Sequence, residues 1–141
     1  MSREILFRGK RVDNGEWVYG SLVRSVSRTW IKDIGSKTSL RAVSSDYADW
    51  RCVEVIPETV SQFIGLCDKN GKEVYENDHV NVWRDGSNRK FTVKWREEGV
   101  PMYILYPQPH NEDFWYCRSD MKMAWEVIGN KFDNPSLTEA I

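Results

Sequence analysis

The residues of this chain whose types and spacing best suit a chemical task gather around one predicted hairpin. Arg84, Arg89, Lys90, Lys94 and Arg96 stand close in sequence, with Trp83 and Trp95 among them. Cations beside aromatic rings are what a single-stranded nucleic acid needs. The cations track the phosphates and the rings stack on bases, as small β folds do. Arg8, Lys10 and Arg11, with the Arg24/Arg28 pair, would extend such a surface. The competing reading is a solvated hairpin whose tryptophans pack in a core or an interface and whose charges block stray strand pairing. Asp85, Glu97 and Glu98 dilute the patch. The formal net charge of -1, from 20 Lys+Arg against 21 Asp+Glu, gives a polyanion no overall attraction. The solvated reading is preferred here, and nucleic acid contact is kept as the alternative.

Other candidate chemistries are weaker. Glu76, Asp78 and His79 form an acid–imidazole cluster after a turn. A carboxylate that orients a histidine suits general acid–base catalysis. An aspartate at a turn more often accepts backbone N–H bonds. Cys52, Cys67 and Cys117 are odd in number and far apart, with no Cys-x-x-Cys pair. That argues against a disulfide scaffold or a zinc ribbon and for a reducing, cytoplasmic setting. A nucleophilic thiol needs an electropositive site and a base, and neither His79 nor His110 sits in a known signature. The acidic set Glu54, Glu58, Asp68, Glu73, Glu76 and Asp78 offers oxygen ligands for a cation. A calcium loop beginning at Asp68 would need an acid at its twelfth position, where His79 stands. No Gly-x-Gly-x-x-Gly, P-loop, nucleophile elbow or His-Glu-x-x-His pattern is present. The reading is therefore non-catalytic, with no cofactor and no metal.

Seven Trp and six Tyr are many for 141 residues. Aromatics beyond those a core absorbs mark interfaces. Self-association into a homo-oligomer is thus the first partner expected, then another protein, with nucleic acid possible. The length suits one domain over residues 1–141, and 40% hydrophobic with 29% charged residues is ordinary for a soluble fold. No apolar run reaches the ~20 residues of a membrane helix, and the first residues lack a signal-peptide core. No membrane association is expected.

Period-2 alternation positions these residues, so the fold is expected to be all-β. Strands are predicted over Ile5–Arg8, Glu16–Arg24, Thr29–Ile34, Cys52–Ile56, Thr59–Ile64, Glu73–Tyr75, His79–Arg84, Arg89–Arg96, Met102–Tyr106 and Ala124–Phe132. Ser36–Asp49 reads as a long polar loop, with a helical turn near Ser44–Trp50. Pro107–Asn111 reads as a rigid loop and Phe114–Cys117 as a short extended piece. Asn134-Pro135 can open a short helix with Asn134 as its cap. Tight turns fall at Asn14-Gly15, Asp68–Lys72, Glu76–Asp78 and Asp85–Asn88. Alternation over Arg89–Arg96 puts Phe91, Val93 and Trp95 on one face and Thr92, Lys94 and Arg96 on the other. The expected core is Phe7, Trp17, Tyr19, Val55, Phe63, Leu66, Val80, Val82, Val93, Tyr103, Leu105, Trp125 and Val127.

Three segments carry a family resemblance. They are Ile5–Lys10 with Asn14–Gly20, then Val55–Leu66 running into Asp68–Asp78, then Trp125–Asn130 with Asp133–Pro135. The middle one ends Gly71-Lys72-Glu73-Val74-Tyr75-Glu76-Asn77-Asp78 and is the most specific. Together they resemble the YopX protein family of phages and prophages of Gram-positive bacteria. Two positions depart from its pattern: Asn77 stands where glycine is usual, and His79 where a small apolar residue is. Asn tolerates a left-handed turn position, so the turn should survive. The resemblance implies all-β, small, twisted, barrel-like antiparallel sheets. It also implies a phage or prophage origin, so that the other protein partner expected from the aromatic content would be a phage or host protein. It implies no mechanism. Gly65, Asp68, Asn70, Gly71, Asn77 and Asp78 read as a structural turn motif, each answering a turn requirement.

Overall fold

A computed structural model describes residues 4–33, 52–84, 86–97, 99–106, 117 and 124–137. The predicted loops at 36–49 and 107–111, the helical turn near 44–50 and most of the 114–117 piece lie outside the described residues. The described elements are strands and short 3-10 turns, and the sheets are antiparallel. The all-β reading holds, though the sheets do not close into a barrel. The chain divides into two compact units, Met1–Gln62 and Phe63–Ile141.

In the first unit β1 (Phe7–Lys10), β2 (Trp17–Arg24), β3 (Thr29–Asp33) and β4 (Cys52–Glu54) lie in the order β4-β3-β2-β1. Asn14-Gly15 turns β1 into β2. Gly15 takes a φ of +76°, and the Asn14 side chain accepts the Glu16 N–H at 2.9 Å. Val18, Ile31 and Val55 form the core, with Phe7, Leu22, Val53 and Val60 packed on it. Gly9 lies against this core so closely that a Cβ there would sit 3.0 Å from Val55 Cβ.

The expected core placement of Trp17 and Tyr19 is corrected here. Val18, Gly20 and Leu22 turn inward, while Tyr19 is 39% exposed and Trp17 is half-buried. Both faces of β2 carry apolar side chains, so composition does not choose between them. A shift of one residue exchanges the faces of a strand. Chain entry also differs at residue 57. Pro57–Thr59 is a 3-10 turn, where Thr59 Oγ1 donates to the Ile56 carbonyl at 2.6 Å and accepts the Lys10 N–H at 2.9 Å. β5 (Ser61–Cys67) begins after it; Ser61 and Gln62 pair with Arg8 and Phe7 of β1.

In the second unit the rest of β5 pairs with β6 (Glu73–Tyr75). The strand does not stop at Gly65. It continues through an irregular register there, with Gly65 at a φ of +93°. β7 (Asp78–Arg84), β8 (Ser87–Arg96), β9 (Met102–Tyr106) and β10 (Trp125–Asn130) form a second sheet in the order β10-β7-β8-β9. Arg84 pairs with Ser87, so the connection is two residues, shorter than the predicted Asp85–Asn88. Gly86 supplies a φ of +81°. One face of this sheet builds the core from Val80, Val82, Phe91, Val93, Leu105 and Trp125, joined by Ile64 and Val74. Leu66, Tyr103 and Val127 pack on its margin. Phe91 and Trp125 are fully buried, and truncating either to alanine would cost about 3–5 kcal/mol. A sheet anchored this way on one face is a rigid support for whatever its other face displays.

Candidate nucleic-acid interface

The β7–β8 register decides where the hairpin residues point. His79 pairs with Thr92, Asn81 with Lys90, and Trp83 with Asn88, all on the face away from the core. Lys94 and Arg96 follow Lys90 on that face by alternation. Arg89 pairs with Val82, so it shares the parity of Phe91, Val93 and Trp95, although it ends up exposed. The predicted basic–aromatic set is thus divided. Trp83, Lys90, Lys94 and Arg96 share one face; Arg89 and Trp95 belong to the other. Arg84 is placed at the end of β7 by its backbone. Trp95 packs edge-on against Tyr103 with ring centroids 4.8 Å apart. The two predicted faces of β8 are as observed.

The outer face gains two residues that the sequence does not single out. Lys69 brings its Nζ to 4.1 Å from the Trp83 ring centroid, and Lys94 lies 4.5 Å from the ring of Tyr106. Both are within cation–π range. Trp83 is 37% exposed and Tyr106 50% exposed. Alternation along β9 and its pairing with Thr92 would have found Tyr106. Lys69 has no local signal, because a distant turn delivers it. Arg96 folds back on the next loop, donating from Nε and Nη2 to the Val100 carbonyl at 3.1 and 2.9 Å. Among the described residues a carboxylate shares the face: Glu126 lies 3.9 Å from Lys69 Nζ and accepts from Asn70 Nδ2 at 3.3 Å.

The turn motif holds this face in place. Asp68 is buried. Its Oδ1 accepts the N–H groups of Asn70 and Lys72 at 2.9 Å each, and its Oδ2 accepts that of Val127 on β10 at 2.9 Å. The neighbouring Lys69 N–H donates to the Trp125 carbonyl, and Trp125 Nε1 donates to the Cys67 carbonyl. The turn is therefore stapled to β10, which carries Lys69 to Trp83. Gly71 and Asn77 take φ angles of +80° and +76°, so Asn77 does adopt the left-handed conformation. Asp78 Oδ2 accepts the Tyr75 N–H at 2.8 Å.

The acid–imidazole cluster has a structural geometry. His79 is buried, with Nδ1 2.9 Å from Thr92 Oγ1 and Nε2 2.9 Å from the Asn134 carbonyl. A carbonyl only accepts, so Nε2 carries the proton and Nδ1 accepts from the threonine. Burial pushes the His79 pKa down, against the opposing pull of the Asn134 carbonyl. Asn134 Oδ1 faces the Asn130 N–H at 3.3 Å, and Pro135–Leu137 is a single 3-10 turn. Burial pushes the Cys117 thiol up to about 12, far from a reactive thiolate. Cys52 and Cys67 are half-buried free thiols. Of the acidic set, Asp68 and Asp78 are committed to backbone donors. Among the described residues no three His, Cys, Asp or Glu side chains gather where they could hold a metal ion. Nor is any described helix long and apolar enough to cross a membrane.

A family model described as YopX protein matches residues 6–139, which include the whole β7–β10 sheet and the turn motif. The chain belongs to the YopX protein family. Among solved structures it is similar to protein EF1440 from Enterococcus faecalis, with 20% identity over 96% of this chain and 99% of that one and a TM-score of 0.49. Nothing among curated proteins matches it. Of the extensions the sequence suggests, Arg8 and Lys10 lie over Trp17 and Arg28 over Trp30, all in the first unit. Arg11 is taken up by Asp13, which it grips with Nε and Nη2 at 2.9 and 2.8 Å.

Proposed function

We propose that this YopX family member is a non-catalytic binding module whose outer β7–β9 face contacts single-stranded nucleic acid. One observation carries the reading: two partly exposed rings, each with a lysine against it, lie on one rigid sheet face with Lys90 between them. Trp83 and Tyr106 are two strands and four residues apart, about 16 Å by strand geometry. That spans about five nucleotides at the ~3.4 Å spacing of a duplex strand, and fewer for an extended one. Rings stack on any base, so contact of this kind would be tolerant of sequence. The family resemblance supports a phage or prophage accessory role in a host cytoplasm. Contact with a phage or host protein, or with a second copy, has the outward Ile5, Val12, Val26 and Val100 as its support.

Fluorescence anisotropy with labelled single-stranded DNA and RNA tests the reading. The protein should bind, with log K falling linearly in log salt by ~0.7 per phosphate engaged. Trp83→Ala should weaken binding by about tenfold, since stacking on one ring is worth ~1–3 kcal/mol. Lys90→Glu with Lys94→Glu should flatten the salt slope. No binding at low salt, or binding untouched by these changes, overturns nucleic acid contact and leaves protein partners.

A further inference from the structure

We infer that the first unit carries a second strand-binding face, built on the same plan as the first and separately removable. This rests on the nucleic acid reading above. The β2–β3 register puts Val23 opposite Trp30 and Ser21 opposite Lys32, on the face away from Val18 and Ile31. Trp17 and Tyr19 belong to that face of β2, and Arg8 and Lys10 of β1 pair with Tyr19 and Trp17. Arg28 Cζ lies 5.9 Å from the Trp30 ring centroid. At the far end Arg8 Cζ lies 4.5 Å and Lys10 Nζ 5.4 Å from the Trp17 ring. Lys32 is exposed between the two rings.

The plan repeats: a ring with a cation at each end, and a lysine between. Trp17 and Trp30 are one strand and six residues apart, about 20 Å. Among the described residues the face offers three accessible cations, Lys10, Arg28 and Lys32, against Glu54, whose Oε2 approaches Arg28 Nε at 4.0 Å; the Arg8 guanidinium is buried against the Trp17 ring. That excess of positive charge beside rings fits a phosphodiester strand. Two such faces give the chain two places at which a strand can bind. A strand long enough to reach both then gains affinity without any new contact.

The experiment is an oligonucleotide length series on the full chain, reading affinity and salt slope for wild type, Arg28→Glu/Lys32→Glu, Trp30→Ala and Trp83→Ala. Far-UV circular dichroism checks that each change leaves the fold intact. For long strands the Arg28/Lys32 variant should lose at least tenfold in affinity. Its salt slope should fall by about 1.4, two phosphates' worth. Trp30→Ala should blunt the gain with length. Short strands should still respond to Trp83→Ala. Binding that depends on Trp83 but is indifferent at every length to the first-unit changes overturns this inference alone. Binding that depends on Arg28 and Lys32 but not on Trp83 supports it and overturns the β7–β9 reading. No binding by wild type overturns both.

Discussion

Replacing Asp68 with asparagine tests whether the family turn is held by its carboxylate. Asp68 Oδ1 serves two backbone donors in the turn, and Oδ2 serves the Val127 N–H on β10. An asparagine keeps one oxygen. With that oxygen on Asn70 and Lys72, its amide faces the Val127 N–H, donor against donor. Flipped, it faces two donors instead of one. The first arrangement is cheaper and loses one charge-assisted bond, ~1.5–3 kcal/mol. Asn70 and Lys72 lie in an exposed turn where water replaces part of any loss, so the cost centres on Val127. A total of about 2–3 kcal/mol follows. With a urea m-value of ~1.5 kcal/mol/M, the unfolding midpoint should fall by about 1.3–2 M. Circular dichroism in urea reads this directly. A midpoint moved by less than ~0.3 M at unchanged m would refute the argument, because it would mean that the staple from Asp68 to β10 contributes almost nothing.

Two further outcomes follow from buried groups. His79 has its pKa pushed below the usual 6.5 by burial, so below that pH the folded chain binds fewer protons than the unfolded one. Stability is then full above pH 6.5 and falls as the pH drops through 6.5 toward the folded value. Urea midpoints between pH 7.5 and 5.5 should show this slope, and His79→Gln should flatten it; equal slopes in both proteins would contradict the assignment. Gly9→Ala should cost about 1–3 kcal/mol by forcing a methyl group to 3.0 Å from Val55 Cβ, read as a lowered midpoint in thermal unfolding; an unchanged midpoint would contradict the close approach.

The sequence made β8 legible because its alternation is unbroken and only one of its faces is apolar enough to bury. The same logic found Val80, Val82, Val93, Leu105 and Trp125. It failed on β2, where Trp17 and Tyr19 compete with Val18 and Leu22, and the bulkier pair looked like the buried one. In the structure Val18 packs with Ile31 and Val55, and Trp17 lies instead against the Arg8 guanidinium and the Lys10 ammonium. The turn motif was legible for the same reason that it is structural. Gly71 and Asn77 meet a positive φ, and Asp68 and Asp78 meet backbone donors. The proposed binding face is half legible. Trp83, Lys90 and Lys94 were found from the hairpin, but parity then divided the set by removing Arg89 and Trp95 from that face. Lys69 was invisible because its position beside Trp83 depends on contacts between residues 68–69 and 125–127.

That dependence joins the motif to the proposed function. A turn whose aspartate bonds only backbone has no chemistry of its own to offer a partner. Yet it fixes the turn against β10, and the turn carries Lys69 to the Trp83 ring, where Glu126 also approaches it. The neutral overall charge is then a poor guide to what each face presents. Asp68 and Asp78 place their carboxylates inward on N–H groups, while Lys69, Lys90 and Lys94 face outward beside rings. A chain with nearly equal numbers of acids and bases can still offer a positive surface when its acids are used to hold turns and its bases are aligned on strands. Charge patterning read along β7 and β8 therefore carries more information about a polyanionic partner than the sum over 141 residues.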